Sequence, residues 1–169
     1  MTLHFRDART DDAAALAELG SRSFTETFGD LYSPDDLRLF LSNHDESRWV
    51  DELSDPAFAV RIGEAAGEAV AYAKIGPPTL PFKPEGKPCE LRQFYVLENW
   101  QGSGAAHEMM EWVIAESRRR SADELYLSVF INNRRARRFY ERYGFERVGI
   151  YAFMVGSHAD EDIVMRKTL

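Results

Sequence analysis

The sequence predicts a mixed α/β (α+β) fold built on one central sheet, and three observations carry that prediction. Helical patterns dominate the first third of the chain. Two strand-like runs joined by a tight turn follow, and a strand–helix–strand–helix–strand series closes the chain. The 169 residues carry no repeat, low-complexity tract or linker, so residues 1–169 read as one domain with a sizeable core.

Each element has its own signal. Residues 3–8, LHFRDA, form a short strand of mostly alternating pattern. A Thr/Asp start at Thr10 opens a helix with Ala13, Leu16, Ala17 and Phe24 at helical spacing. Ser33 caps the next helix, Pro34 occupies its first turn, and Asp35 and Asp36 suit the positive end of its dipole. Residues 47–55 add a short helix. Residues 58–76 read as two strands around a turn at Ala66 and Gly67. The proline- and glycine-rich segment 77–88 reads as a loop of the length that lines or covers a site. Residues 89–97 form a strand, 103–120 a helix burying Ala106, Met109, Met110, Val113 and Ile114, and 123–130 a buried strand. A helix from Asn133 stops at Gly144, a C′ glycine, and strands over 146–156 and 162–169 end the series.

Composition narrows the function. No apolar run approaches the roughly 18 residues of a membrane span, and the opening MTLHFRDARTDD lacks the apolar core of a signal peptide. These features predict a cytoplasmic protein without a membrane partner. The net charge of −7 disfavours nucleic acid and suits a cationic guest. A lone cysteine, Cys89, and four scattered histidines give neither a disulfide nor a metal-ligand pattern, so no metal is expected.

The stretch NWQGSGAAHEMMEWV places two glycines and a serine where a strand hands over to a helix. Amides at a helix start point outward, and glycine lets an anion approach them without meeting a Cβ. A P-loop is excluded because no lysine follows the glycines. A dinucleotide fingerprint fails because His107 stands at its last glycine or alanine position, and the next strand ends in FINN rather than an acid.

Gln101, Gly102, Ser103, Gly104, Ala105 and Ala106 match the pattern Gln/Arg-x-x-Gly-x-Gly/Ala, the pyrophosphate signature of the GNAT (Gcn5-related) N-acetyltransferases. About 30 residues on, NRRARRFYERYGF resembles that family's Asn-x-x-Ala-x-x-x-Tyr…Gly-Phe segment, with Asn133, Ala136, Tyr140, Gly144 and Phe145 in register. The front segment SFTETFGDLYSPDDLRLFLS and the ending DIVMRKTL are similar to PaiA-type spermidine/spermine N-acetyltransferases. The resemblance implies a GNAT fold: about seven mostly antiparallel strands, a splayed parallel central pair, and about four flanking helices. It also implies acetyl-CoA as cosubstrate and direct attack of an amine on the thioester. A homodimer is common in such proteins, and sheet edges near the C-terminus would accommodate one.

Residue roles follow from the same resemblance. Gln101 to Ala106 would hold the pyrophosphate, and Asn133 the pantetheine arm or strand backbone. Tyr95 or Val96 would offer a backbone N–H to the thioester carbonyl. Tyr140, a phenol protonated at neutral pH, would donate to the departing thiolate. Its spacing with Ala136, Phe139 and Tyr143 also suits a plain buried helix face. Relatives carry a glutamate base where this chain has Arg92. Glu90, expected on the strand face of Arg92, Phe94 and Val96, is the substitute base, with Glu26 a second candidate. The arginines at 134, 135, 137 and 138 read as a solvated helix face or a partner for the 3′-phosphate. The acceptor wall is expected from the first helices, where Glu26, Phe28 and Tyr32 would bind a small cationic amine by charge and cation–π contact. Another amine acceptor, such as an amino acid, an aminoglycoside or a protein N-terminus, and a non-catalytic coenzyme-A sensor are the alternatives.

Overall fold

The computed structural model describes residues 2–169. Seven strands, β1 (Leu3–Asp7), β2 (Ala59–Ala65), β3 (Glu68–Gly76), β4 (Pro88–Val96), β5 (Glu124–Phe130), β6 (Glu146–Val155) and β7 (His158–Thr168), form one sheet in the order β1-β2-β3-β4-β5-β7-β6. Five α-helices pack around it: α1 (Ala13–Phe28), α2 (Pro34–Ser42), α3 (Glu46–Ser54), α4 (Ala105–Arg119) and α5 (Arg134–Arg142). All pairings are antiparallel except β4 with β5. This is the mixed sheet with one central parallel pair that the motifs imply. Among the described residues no helix is long and apolar enough to cross a membrane.

Local chemistry explains the helix starts. The Ser33 hydroxyl accepts the Asp36 amide at 3.1 Å with Pro34 behind it, and Asp45 accepts the Arg48 amide at 3.1 Å. The Asn133 side chain caps α5 by accepting the Ala136 amide at 3.2 Å. The helix expected from Thr10 begins with a tighter 3-10 turn and becomes α-helical at Ala13. It runs to Phe28, four residues beyond the last apolar position that marked it.

Helices cover both faces. Tyr72 of β3 reaches α1, where an added Cβ on Gly20 would come within 2.9 Å of its hydroxyl. On the other face, Met109, Met110 and Val113 of α4 are fully buried in the same core as Ala73, Ile75 and Leu91.

The loop between β3 and β4, expected to line or cover a site, is fastened to the start of β5 instead. Glu85 and Gly86 amides donate to Glu124 at 3.1 and 3.2 Å, the Lys87 amide donates to Asp123 at 2.7 Å, and Phe82 packs on Tyr126. β7 also begins earlier than the apolar run DIVM suggests, because the turn at Gly156 pairs His158 directly with Val155.

One buried ion pair ties α3 to the sheet. Lys74 on β3 bonds to Glu52, with side chains only 6% and 9% exposed, and its ammonium lies 4.4 Å from the Trp49 ring centroid. Arg48 adds a second contact to Glu52 at 3.2 Å. Burial disfavours both charges, yet the Lys74 and Arg48 contacts hold the Glu52 carboxyl below its ordinary value. Removing one partner leaves the other charge buried alone, which costs about 3–5 kcal/mol. Glu52→Ala is therefore expected to lower stability by about 3 kcal/mol or more in urea unfolding; a change under about 1 kcal/mol would show that the pair is energetically idle.

Candidate active site

β4 and β5 pair for only three positions, Pro88↔Glu124, Cys89↔Leu125 and Glu90↔Tyr126. Beyond them the strands part. The β3–β4 register shifts so that Ile75 faces Leu91 while Lys74 faces Gln93, leaving Arg92 as the extra residue of a bulge. A bulge bends its strand and adds local twist. The residues around and after it, Leu91 to Val96, line a cleft of about 490 Å³ whose opposite wall is Leu127 to Phe130 of β5. That volume lies within the usual range for small-molecule sites.

The open edge of β4 carries unused amides. The Leu97 amide donates to the Val70 carbonyl at 3.0 Å, so it points toward β3. Alternation along the strand then turns the Val96 N–H the other way, into the gap. Consistently, the Val96 carbonyl on that side is reached by Gln101 Nε2 at 3.2 Å. Tyr95, the other candidate donor, points its amide back into the β3 ladder.

Below this edge α4 begins. Gly102 and Gly104 have φ of +81° and +92°, and a Cβ on either would meet nothing within 4 Å. Both glycines therefore serve the backbone conformation. Gln101, Gly102, Gly104 and Ala106 face the cleft, as do Asn133, Arg135 and Arg142 from the α5 side. Arg135, exposed as expected, donates to Gln101 Oε1 at 2.8 Å and so stands beside the loop. Ser103 turns its hydroxyl back onto the Trp100 carbonyl at 2.6 Å, and Ala105 is buried in the core. The Ser103 and Ala105 amides are taken within the loop, by the Trp100 carbonyl and the Ser103 hydroxyl, each at 3.3 Å, so the open part of the rim lies around Gly102, Gly104 and Ala106.

Tyr140 lines the cleft beside Phe94 and Phe139 and is 8% exposed. Its hydroxyl makes no hydrogen bond among the described residues, and burial pushes its pKa well above the ordinary tyrosine value. It carries its proton at every physiological pH.

Glu90 is not brought to this site. The bulge at Arg92 reverses the expected alternation and places Glu90 on the face of Gln93 rather than that of Phe94 and Val96. There its carboxylate is consumed: the amides of Thr79 and Leu80 donate to it at 2.9 and 3.0 Å, and Arg92 Nε lies at 3.1 Å. Glu26 is also outside the cleft, exposed and paired with Arg22 at 3.0 Å. Asp36 is engaged with the Ser157 amide at 2.7 Å and its hydroxyl at 2.9 Å. Phe28 and Tyr32 do line the cleft.

The acids of the cleft come from β7 instead. Asp160 and Asp162 stand two residues apart on one strand face, beside Phe130, Phe153 and Tyr32. Tyr32 donates to Asp160 Oδ2, and His158 Nε2 lies 3.1 Å from Asp160 Oδ1. Asp162 is 6% exposed and forms no ion pair among the described residues. Burial raises its pKa to about 7, the Asp160 charge pushes the same way, and the Ser128 hydroxyl opposes them. The sequence carries a signal for this: in HADEDIVM a strand puts Asp160 and Asp162 on one face and Glu161 on the other.

A carboxyl whose folded pKa lies above its unfolded value of 3.8 loses stability as pH rises from about 4 to about 7 and then levels off. Asp162→Asn is therefore expected to match the parent near pH 4 and to be more stable near pH 8, on the order of 2 kcal/mol. Thermal unfolding across that range checks it. A variant less stable at high pH would mean that the charge is well compensated.

Residues 13–145 match the model of the acetyltransferase (GNAT) family. An uncharacterised N-acetyltransferase of Mycobacterium tuberculosis is 30% identical over 159 residues, spanning 94% of this chain and 98% of the relative. One from Lactobacillus delbrueckii subsp. lactis is 25% identical, spanning 94% of this chain and 92% of the relative. Among solved structures, PaiA N-acetyltransferase from Thermoplasma acidophilum, crystallised with coenzyme A, superposes over all of both chains with a TM-score of 0.80 at 15% identity. Ribosomal-protein-alanine N-acetyltransferase from Brucella melitensis follows, with a TM-score of 0.74, 24% identity, and 98% and 99% of the two chains covered. At those identities the two structures speak for the fold, whereas the matching family model and the mycobacterial relative establish that this chain belongs to the GNAT family of acetyltransferases.

Proposed function

We propose that this acetyltransferase takes its acetyl group from acetyl-CoA and transfers it to a primary amine of a small cationic acceptor, with polyamines the leading class. The observation that carries the reading is the continuity of the unpaired β4 edge with the bare N-terminus of α4. Such a track of donors suits a long carrier with a diphosphate at one end and a carbonyl at the other. The coenzyme A bound to the PaiA relative of the same fold supports the choice of carrier.

In this reading the amides around Gly102, Gly104 and Ala106 hold the diphosphate, aided by the positive end of the α4 dipole. The Ser103 and Ala105 amides take no part, since they already donate to the Trp100 carbonyl and the Ser103 hydroxyl, each at 3.3 Å. Arg135 and Arg142 add charge at the same end. Asn133 fixes the start of α5 and so the position of Tyr140. The Val96 N–H points at the thioester oxygen, where charge builds as the amine attacks. One preorganised donor of this kind contributes roughly 3–4 kcal/mol to the barrier reduction. Tyr140 gives its proton to the sulfur as the C–S bond breaks.

The acceptor reading rests on the other end of the cleft. Phe24, Phe28, Tyr32, Phe130 and Phe153 form an aromatic chamber that contains two carboxylates and no lysine. An alkylammonium gains both charge attraction and cation–π contact there. Neutral or anionic acceptors leave Asp162 without a countercharge.

Thiol release from acetyl-CoA, measured across a panel of amines, tests the assignment. Spermidine and related alkylamines are expected to accelerate release; a panel in which only neutral or acidic acceptors do so would overturn the acceptor class. Tyr140→Phe should lose about 100-fold or more in kcat while its acetyl-CoA affinity, read by calorimetry, stays within about twofold. Full-rate turnover would remove Tyr140 from the acid role. Gly104→Val, forced from its left-handed conformation, should weaken acetyl-CoA binding by about tenfold or more; unchanged affinity would place the carrier elsewhere.

A further inference from the structure

The bulge that removes Glu90 leaves the chain without a carboxylate base in the strand before the pyrophosphate loop. An alkylamine arrives protonated, with a pKa near 10. Something must accept that proton before nitrogen can attack. Arg92 cannot, and Glu90 is spent on the Thr79 and Leu80 amides.

The acceptor chamber holds one group suited to the task. Asp162 lies on β7 opposite Phe130 of β5 and Tyr151 of β6. Its neighbours can be named on every side. Asp160 stands two residues back on the same strand, with His158 beyond it. Tyr32 after α1 is bonded to Asp160, and Tyr95 of β4 feels the Asp162 charge from across the gap. Ser128 of β5 offers it a hydroxyl hydrogen bond, and among the described residues no arginine or lysine offsets it. The two acids are therefore unlike. Asp160 is held by Tyr32 and His158. Asp162 is more than nine-tenths buried, faces the cleft and lacks any ion-pair partner. Burying a carboxylate in this way does not help folding. A cation that enters the cleft is what would complete the site.

We propose that Asp162 accepts the proton of the incoming alkylammonium, and that Asp160, fixed by Tyr32 and His158, holds the ammonium beside it. The inference rests on the acceptor class proposed above and adds the residue that activates it. The ammonium N–H proton passes to an Asp162 oxygen, freeing the nitrogen lone pair. Nitrogen then bonds to the thioester carbon, and the C–S bond breaks with its electron pair on sulfur. Tyr140 gives sulfur a proton, and the second proton lost from nitrogen replaces it on Tyr140. Asp162 returns its proton to water, so one proton is released per turnover. An acid poised near neutrality both accepts and releases a proton at physiological pH.

The test is the pH dependence of kcat/KM for spermidine in the parent enzyme and in Asp162→Asn, from about pH 6 to 10. The parent is expected to rise through an apparent pKa near 7 and to fall again near the amine pKa. The variant should lose the lower limb, climb steadily as the free amine accumulates, and be about 100-fold slower near pH 7.5. Its deficit should shrink below about tenfold for 2,2,2-trifluoroethylamine, whose three fluorines lower the ammonium pKa by several units from its ordinary value near 10, so that it is largely neutral near pH 7.5. Asp160→Asn should raise KM more than it lowers kcat. A variant profile parallel to the parent's overturns the assignment of Asp162 while leaving the acceptor class intact. A parent enzyme that acetylates no alkylamine at all overturns both. Acetyl-CoA-induced stabilisation of each variant reports that it is folded. Should Asp162→Asn not fold, a parent profile without a limb near 7 is itself sufficient to overturn the proposal.

Discussion

Two neighbouring parallel strands that stop pairing after Glu90 and Tyr126 leave main-chain amides and carbonyls with no partner inside the sheet. Such groups cost about 1–3 kcal/mol each if buried unsatisfied, so this edge must face either water or a ligand. The flanking ladders keep it open. β3 holds β4 from one side, and β7 holds β5 over seven successive pairs from the other. Neither strand can drift across to close the gap without breaking those ladders. The bulge at Arg92 supplies the local twist that begins the separation. Everything that gives this protein its site follows from that opening, including the exposure of the Val96 amide and the cleft leading to α4.

The cleft is electrically polarised along its length. One end gathers Arg135, Arg142 and the N-terminus of α4; the other gathers Asp160 and Asp162 among aromatic rings. In a chain of net charge −7 the basic end is a local exception. It suits a polyanionic carrier, while the overall acidity and the far end of the cleft suit a cation. Under the proposed function, two partners of opposite charge would be directed to opposite ends and would meet at the open strand edge.

How much of this the sequence carries depends on the range of the interactions involved. The order of elements, the α4 start at the paired glycines and the α5 segment from Asn133 to Gly144 all arise from local chemistry, namely caps, turns and helical spacing. They were legible. The splayed parallel pair was implied by the resemblance carried by those two segments, and the sheet order agrees with it. What failed was parity. A single extra residue at Arg92 reverses the strand face for everything before it, and no composition or spacing in CELRQFYV announces a bulge. Glu90 was assigned to the cleft on unbroken alternation and lies outside it. Asp160 was missed because the final strand was traced from its apolar run, whereas the strand starts at His158 within a polar stretch. Glu26 on the first helix reads as an acid of the acceptor wall, but Arg22 already occupies it. Whether an acid is free depends on long-range partners, and those are set by the fold.

The same parity argument explains how two opposed proton tasks share one cleft. Phe94 turns toward α5, where Tyr140 packs against it. Tyr95, the next residue, turns to the other face and meets Tyr72, which reaches α1. The hydroxyl suited to donating a proton therefore sits on one side of the sheet, and the carboxylate pair suited to taking one sits on the α1 side with Phe130 and Phe28. Burial raises both pKa values, but with opposite consequences: the phenol is locked as a donor, whereas the carboxyl is brought to about 7, where either form is accessible. Had the strands stayed paired, these groups would be separated by a closed sheet. Because they part, only the width of the gap lies between the two groups, and a thioester held on the Val96 amide would stand between its proton donor and the amine's proton acceptor.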